Sequence, residues 1–228
     1  MNEFEKCLKK RDAWSTVFIY DRFAVLILRS LILLKFNKSA SSISYVGLIC
    51  CFMATFSIIN EQYILSIILL QLISIIDCVD VKWARYTNTT SNFGEQLDAS
   101  IDLYAHVVLG LIILSKLYYV DTLLFFTYGI NVLLLGNMHI RGFFLNRGLL
   151  KPSTSNNPTV KLKSSWDSWT AKKRLIPMPV SEVELAFMVP SLVLIYMSGI
   201  DIIWLIMMIY IAFSFSKLFY LIHRFQTK

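Results

Sequence analysis

Charge is scarce in this chain. Only 16% of its residues are Asp, Glu, Lys or Arg, while 56% are hydrophobic; soluble domains carry about 25% charge. The four cysteines, Cys7, Cys50, Cys51 and Cys78, show neither metal-ligand nor redox spacing. Cys50 and Cys51 stand side by side in an apolar run and read as small packing residues. Residues 1–11 carry charges of both signs and no small-residue cleavage pattern follows, so no removable signal peptide is expected. There is no internal repeat and no sign of a second domain. The net charge of +7 comes without an aromatic-basic module, which argues against nucleic acid as a partner. The basic residues instead flank apolar stretches, as cytoplasmic anchors touching anionic membrane lipids do.

What the chain does have is a series of runs approaching the ~20 apolar residues needed to cross a bilayer. The expected fold is all-α and integral to the membrane, with six transmembrane helices preceded by an N-terminal interfacial amphipathic helix. The N-terminal segment, 1–43, begins with Lys9-Lys10-Arg11 and passes through Trp14, Phe18 and Tyr20. Its apolar part, 23–36, is interrupted by Arg29 and bounded by Arg22 and Lys35. It is too short and too charged for a span, and suits headgroup level. Serines in 37–42 can cap the next helix. The membrane domain, 44–228, has spans expected at 44–59, from 63 into an acidic motif, at 94–117, at 123–140, from 183, and in a last stretch ending near His223-Arg224. Pro190 falls inside the fifth, where a neighbouring helix can satisfy the carbonyl a proline leaves free.

The one long polar segment, the loop 147–180, contains Pro152, Pro158, Pro177 and Pro179. Trp166 and Trp169 lie there beside Lys172-Lys173-Arg174, a pattern for a short interfacial helix. Lys and Arg gather in the N-terminal arm, the 77–102 connection, the 147–174 loop and the C-terminus. The opposite turns, at 60–62, Asp121 and 198–201, have almost none apart from nearby Lys116. The positive-inside rule then puts both termini and the acidic connection in the cytoplasm. The abundance of Ile, Lys, Asn and Ser points to an AT-rich genome and a bacterial inner membrane.

Four carboxylates, Asp77, Asp80, Asp98 and Asp102, sit where apolar segments end and begin. Helical spacing puts Asp77 with Asp80, and Asp98 with Asp102, on single faces. If two such faces meet, four negative charges converge, and protons or cations must neutralise them. Hard oxygen ligands on rigid elements suit Mg²⁺, Mn²⁺ or Ca²⁺. Carboxylates at membrane helix ends are functional candidates for the same reason, since burying them unpaired is expensive.

Together with Ala84, Arg85 and Gly94, these residues spell D-x-x-D-x-x-x-A-R-x8-G-x3-D-x3-D. The pattern closely resembles the signature of the CDP-alcohol phosphotransferase family, membrane enzymes of phospholipid and related glycolipid or polymer synthesis. The resemblance implies a six-helix fold, often homodimeric, with a cytoplasm-facing cavity reachable from lipid. It implies transfer of a substituted phosphate from a CDP-linked alcohol donor to a lipid or polar alcohol acceptor, releasing CMP, with a pair of Mg²⁺ or Mn²⁺ ions. Carried over position by position, Asp77, Asp80 and Asp98 would ligate metal. Asp102 would be the general base and also touch metal. Arg85 would hold donor phosphate, where a guanidinium offers forked donors, and Ala84 and Gly94 would leave room for the nucleotide.

Outside the motif, His106 lies one turn beyond Asp102 and either faces the site or serves as hydrogen-bonded structure. Glu182 and Glu184 enter the fifth span from the cytoplasmic side, to bind a polar acceptor or to complement the helix dipole. Arg141 and Lys172, Lys173 and Arg174 suit an anionic headgroup or acceptor phosphate, or plain membrane anchoring. One position departs from the family pattern: Val81 stands where Gly usually follows the second Asp, and Gly there would let backbone approach a ligand. Two other readings accommodate the acidic pairs. One is an inactive family member that binds lipid or cation. The other is a membrane prenyltransferase, whose Asp motifs are usually far apart on a longer bundle.

Overall fold

The computed structural model describes residues 7–37, 39–146, 165–176 and 183–202, with 205, 208 and 209. Helix is the regular structure throughout these residues, in the order α1 (Asp21–Leu33), α2 (Ala40–Ile59), α3 (Tyr63–Thr87), α4 (Asn92–Leu103), α5 (Leu109–Leu117), α6 (Thr122–Asn146), α7 (Ser165–Lys172) and α8 (Val189–Met197). Three five-residue π-helical turns interrupt the α pattern. Thr16–Tyr20 leads into α1, Tyr104–Val108 joins α4 to α5, and Glu184–Met188 leads into α8. Four helical stretches are long and apolar enough to cross a bilayer: Ala40–Ile59, Tyr63–Thr87, Asn92–Leu117 and Thr122–Ile140. They coincide with the first four expected spans, the first starting at Ala40 rather than 44. The fifth expected span is represented by Glu184–Met197, a shorter apolar helix. Of the sixth, only residues 202, 205, 208 and 209 are among those described, the last three helical.

The helices end with little help from glycine. Among the described residues, Lys35, Glu61, Asn88 and Arg174 adopt left-handed backbone, and only one glycine, Gly199, does so. At the end of α2, Glu61 N–H donates to Ile58 O at 3.1 Å and Gln62 N–H to Ser57 O at 2.8 Å. That pair of bonds is a Schellman closure, which satisfies carbonyls the helix leaves open. It turns the chain back within three residues, so α2 and α3 lie antiparallel.

Apolar residues from several helices form the core, among them Leu70 and Ile73 of α3, Leu109 and Ile113 of α5, Leu124 and Tyr128 of α6, and Val193 of α8. In lipid, burying such residues gains little over leaving them exposed, so close packing and interhelical hydrogen bonds decide which faces meet. Gly110 shows the first effect. A Cβ at that position would come within 2.9 Å of Val132 Cγ2, so its absence sets how closely α5 approaches α6. Asn131 shows the second. In the π turn, Val189 N–H bonds Glu184 O, and the residue next in register to serve Leu185 O is Pro190, which has no N–H. Asn131 Nδ2 donates to Leu185 O instead, at 3.1 Å. A neighbouring helix thus satisfies a carbonyl that Pro190 leaves open.

The N-terminal helix packs on α3 through a second cluster, in which Ala24 and Leu28 meet Ile43, Val79 and Trp83. Its other side exposes Phe18, Phe23 and Leu26. The arm preceding it, 7–15, is stitched down by main-chain bonds. Asp12 N–H donates to Arg174 O at 2.8 Å and Ile176 N–H to Asp12 O at 3.0 Å. Trp14 Nε1 donates to Ile176 O at 3.0 Å, and the Trp14 ring lies 6.1 Å from that of Trp169 on α7.

Candidate active site

Two helix ends build the acidic centre. α3 carries Asp77 and Asp80 in its last turns and ends at Asn88 in left-handed backbone. α4 restarts after a short polar connection, with Ser91 as its N-cap: the Ser91 hydroxyl accepts from Gly94 N–H at 3.0 Å. This cap holds one of the N–H groups that every helix start leaves unpaired. A side chain at Gly94 would press on that serine, since its Cβ would lie 3.1 Å from Ser91 Oγ and 3.4 Å from Ser41 Oγ of α2. From the cap onward, α4 packs against α2, and Asp98 and Asp102 come round to face Asp77. Carboxylate oxygens of Asp77, Asp98 and Asp102 lie within 4.8 Å of one another.

Asp80 is placed differently. It is buried, its Oδ2 accepts from the Ser44 hydroxyl at 2.7 Å, and its Oδ1 has no hydrogen-bond partner among the described residues. The four carboxylates therefore divide into a group of three and a fourth held by α2.

The three open onto a cavity of about 320 Å³. Its walls include Lys9 and Asp12 of the arm, Lys82 and Arg85 of α3, His106, His139 of α6, and Phe187. Val81, the departure from the family pattern, is also in the wall, whereas Ala84, Gly94 and Asp80 are not among its lining residues. All three π turns contribute to it, through Thr16 and Tyr20, through His106, and through Phe187. Such turns are rare and concentrate at functional sites, because the extra residue rotates a side chain out of the α register.

Lys82 and Arg85 of this wall, and Arg174 close by, have internal partners. Lys82 pairs with Asp21 at 2.7 Å, both side chains almost fully buried, and Arg174 reaches the other oxygen of Asp21 at 3.0 Å. One carboxylate on α1 thus joins α3 to the residue that ends α7. Arg174 Nε also donates to Lys9 O at 3.0 Å, and an Arg85 Nη1 donates to Cys7 O at 2.9 Å. The two arginines tie the arm to α3 and to the end of α7. Burial pushes the Cys7 thiol up from its ordinary range, with Arg85 and Lys82 pulling the other way. Burial likewise raises the Tyr20 phenol, which keeps its proton and donates to Gln71 Oε1 at 2.9 Å.

The inner wall is polar but uncharged. His106 Nδ1 and His139 Nε2 lie 2.9 Å apart, and the His106 ring packs edge-on against Phe187 with centroids 5.1 Å apart. The Nε2 atom of His106 and Oγ of Ser74 are shut from solvent without a hydrogen-bond partner among the described residues. Leaving such groups unpaired costs about 1–3 kcal/mol each.

Of the remaining expected residues, Glu184 is buried and accepts from Ser15 N–H at 2.8 Å and Ser15 Oγ at 2.7 Å. That bond fastens the start of α1's helical segment to the start of α8's. Lys172 and Lys173 close α7 and are exposed. Arg141 lies on α6, and Glu182 falls outside the described residues. Sequence reasoning missed Lys82, Asp21, Ser74 and His139. Asp21 and His139 are far from the motif in the chain, and only the fold brings them near. Ser74 lies one turn before Asp77, and helical spacing alone would have placed it on the same face.

Residues 36–164 match the family model for CDP-alcohol phosphatidyltransferase. The chain belongs to that family. The match spans α2 to α6, including every residue of the acidic motif, while α1 and α8 stand outside it. No curated protein and no solved structure matches the chain. Membership of this transferase family, with four apolar helices of spanning length, makes the chain an integral membrane protein.

Proposed function

We propose that this CDP-alcohol phosphatidyltransferase family member transfers a substituted phosphate, phosphatidyl or phospho-alcohol, from a CDP-linked alcohol to an acceptor hydroxyl, releasing CMP. The observation that carries this reading is the meeting of Asp77, Asp98 and Asp102 within 4.8 Å at the wall of a cavity. Three carboxylates so close repel one another unless protons or cations intervene. An all-oxygen donor set on two helices suits Mg²⁺ or Mn²⁺, so the residues fit the divalent pair the family uses. Asp77, Asp98 and Asp102 would hold it, with Asp80 adjoining on α3. When bound, the metal neutralises pyrophosphate charge and the charge that develops on departing CMP.

The chain's own residues do the rest. Arg85 and Lys9, at the mouth, attract the donor's phosphates. Asp102 accepts the proton of the acceptor hydroxyl. The acceptor oxygen then forms a bond to the phosphorus bearing the alcohol, the bridging P–O bond breaks, and CMP leaves with its electron pair. Low-dielectric walls such as Phe187 and Leu135 keep competing water from that phosphorus. The reading carries with it a homodimer, and a site facing the cytoplasm of a bacterial inner membrane.

The test is CMP release by the purified protein in detergent, offered CDP-diacylglycerol and soluble CDP-alcohols together with a total lipid extract and polyols. Release that disappears with EDTA and returns with Mn²⁺ or Mg²⁺ is expected. Release unaffected by chelation, or absent with every donor while CDP also fails to bind, contradicts the proposal. Val81 in the cavity wall favours a second reading, an inactive lipid- or cation-binding member. A silent wild type brought to life by Val81→Gly would establish it.

A further inference from the structure

Part of the cavity wall comes from outside the stretch that matches the family. Lys9 and Asp12, in the arm before α1, line the cavity together with Arg85 and the three carboxylates. The arm's backbone is fixed on both sides of Lys9. Cys7 O accepts from Arg85 Nη1 at 2.9 Å, and Lys9 O from Arg174 Nε at 3.0 Å. Asp12 adds main-chain bonds of 2.8 and 3.0 Å to Arg174 and Ile176. Cys7 lies two residues before Lys9, so at most about 7 Å of chain separates the Arg85 tie from Lys9.

The Lys9 side chain, by contrast, is uncommitted. It is exposed, and its ammonium makes no hydrogen bond or ion pair with a described residue. The other lysine of the wall, Lys82, is buried against Asp21 at 2.7 Å. Arg85 has given one N–H to Cys7, and Asp12 turns one oxygen to Ala13 N–H at 2.9 Å. Lys9 acts through space instead: its charge is felt at Asp77, Asp98 and Asp102 alike. A compact charge on a flexible stem, anchored at a fixed backbone beside crowded carboxylates, serves as their resident counter-ion. The same ammonium is repelled once those carboxylates hold a divalent cation. It is then free to turn to the next anion entering the cavity, the pyrophosphate of the donor.

Resting on the transfer reaction above, we propose that Lys9 alternates between two anions. It neutralises the empty acidic cluster, and with metal bound there it holds the donor's pyrophosphate. Lys9 therefore opposes metal binding in the absence of nucleotide and favours nucleotide binding in the presence of metal.

The experiment measures two affinities in detergent: Mn²⁺ alone, by electron paramagnetic resonance, and CDP at saturating Mn²⁺, by calorimetry. Wild type is compared with Lys9→Gln, Lys9→Arg and Lys10→Gln. Lys9→Gln should bind Mn²⁺ about 3- to 10-fold more tightly, because a nearby positive charge is gone. It should bind CDP roughly tenfold more weakly, the size of one lost charge-assisted hydrogen bond. Damage to the arm's structure would weaken both, so the opposite signs are the signature. Lys9→Arg keeps the charge and should restore both affinities, and Lys10→Gln, outside the cavity wall, should match wild type. In turnover, Lys9→Gln should raise the donor's KM and leave the acceptor's KM unchanged. Both affinities unchanged, both weakened, or one sign without the other would overturn the proposal while leaving the transfer reaction intact. A wild type that binds Mn²⁺ but no CDP would sink the transfer reaction, and this proposal with it.

Discussion

The two ends of the bundle treat polar groups in opposite ways. At the end holding the 60–62, Asp121 and 198–199 turns, the chain satisfies its own polar atoms. Lys116 reaches Glu61 at 3.0 Å and Ile59 O at 3.2 Å. Asp121 accepts from Leu124 N–H at 2.8 Å and from the Tyr196 hydroxyl at 3.0 Å. At the acidic end, three carboxylates face one another, and one oxygen of Asp80, Ser74 Oγ and His106 Nε2 have no hydrogen-bond partner among the described residues. The first end is finished by the protein, whereas the second is finished by something the protein binds. Polar atoms left open in lipid-embedded helices are expensive, so their concentration at one end marks the ligand site more sharply than the presence of charge does.

Breaking the acidic end should therefore affect catalysis, and breaking its supports should affect stability. The largest effect is expected from Asp102→Asn, which removes the proton acceptor and nearly preserves shape. CMP release should fall by roughly 10²–10⁴-fold with the detergent melting curve unchanged. Next comes Asp21→Asn, which strips the partner from buried Lys82 and from Arg174. Removing one member of such a pair costs about 3–5 kcal/mol, readable as loss of thermal stability. Asn131→Leu leaves Leu185 O without a donor and should cost about 1–3 kcal/mol. At the finished end, Glu61→Gln should cost at most about 1 kcal/mol, because Glu61 is 64% exposed and its partner Lys116 30%. Equal losses for Asp21→Asn and Glu61→Gln would erase the contrast between the ends.

The acidic site was legible where its residues are close in the chain. Helical spacing put Asp77 with Asp80 on one face and Asp98 with Asp102 on another, the fold brings Asp77, Asp98 and Asp102 together, and the apolar runs marked four spans to within a few residues. Asp80 shares a face with Asp77 by spacing, yet Ser44 of α2 holds one of its oxygens; a pattern along one helix says nothing about what a neighbouring helix supplies. The helix ends were harder to read for a chemical reason. Left-handed closure usually advertises itself with glycine, and here Lys35, Glu61, Asn88 and Arg174 perform it. The π turns left no periodic trace either, because five residues are too few to shift an apolar pattern. Asp21 carried no signal in the sequence, and Arg174 read as a headgroup or acceptor-phosphate candidate or a membrane anchor; the fold brings both together with Lys82.

The central claim is that Asp77, Asp98 and Asp102 together hold divalent metal. Its most direct measurement is Mn²⁺ binding to the purified protein, followed by electron paramagnetic resonance, for wild type, Asp98→Asn and Glu61→Gln. Saturable binding in wild type and in Glu61→Gln, weakened at least tenfold in Asp98→Asn, is the predicted result. Binding of equal strength in all three proteins, or in none, would contradict the account.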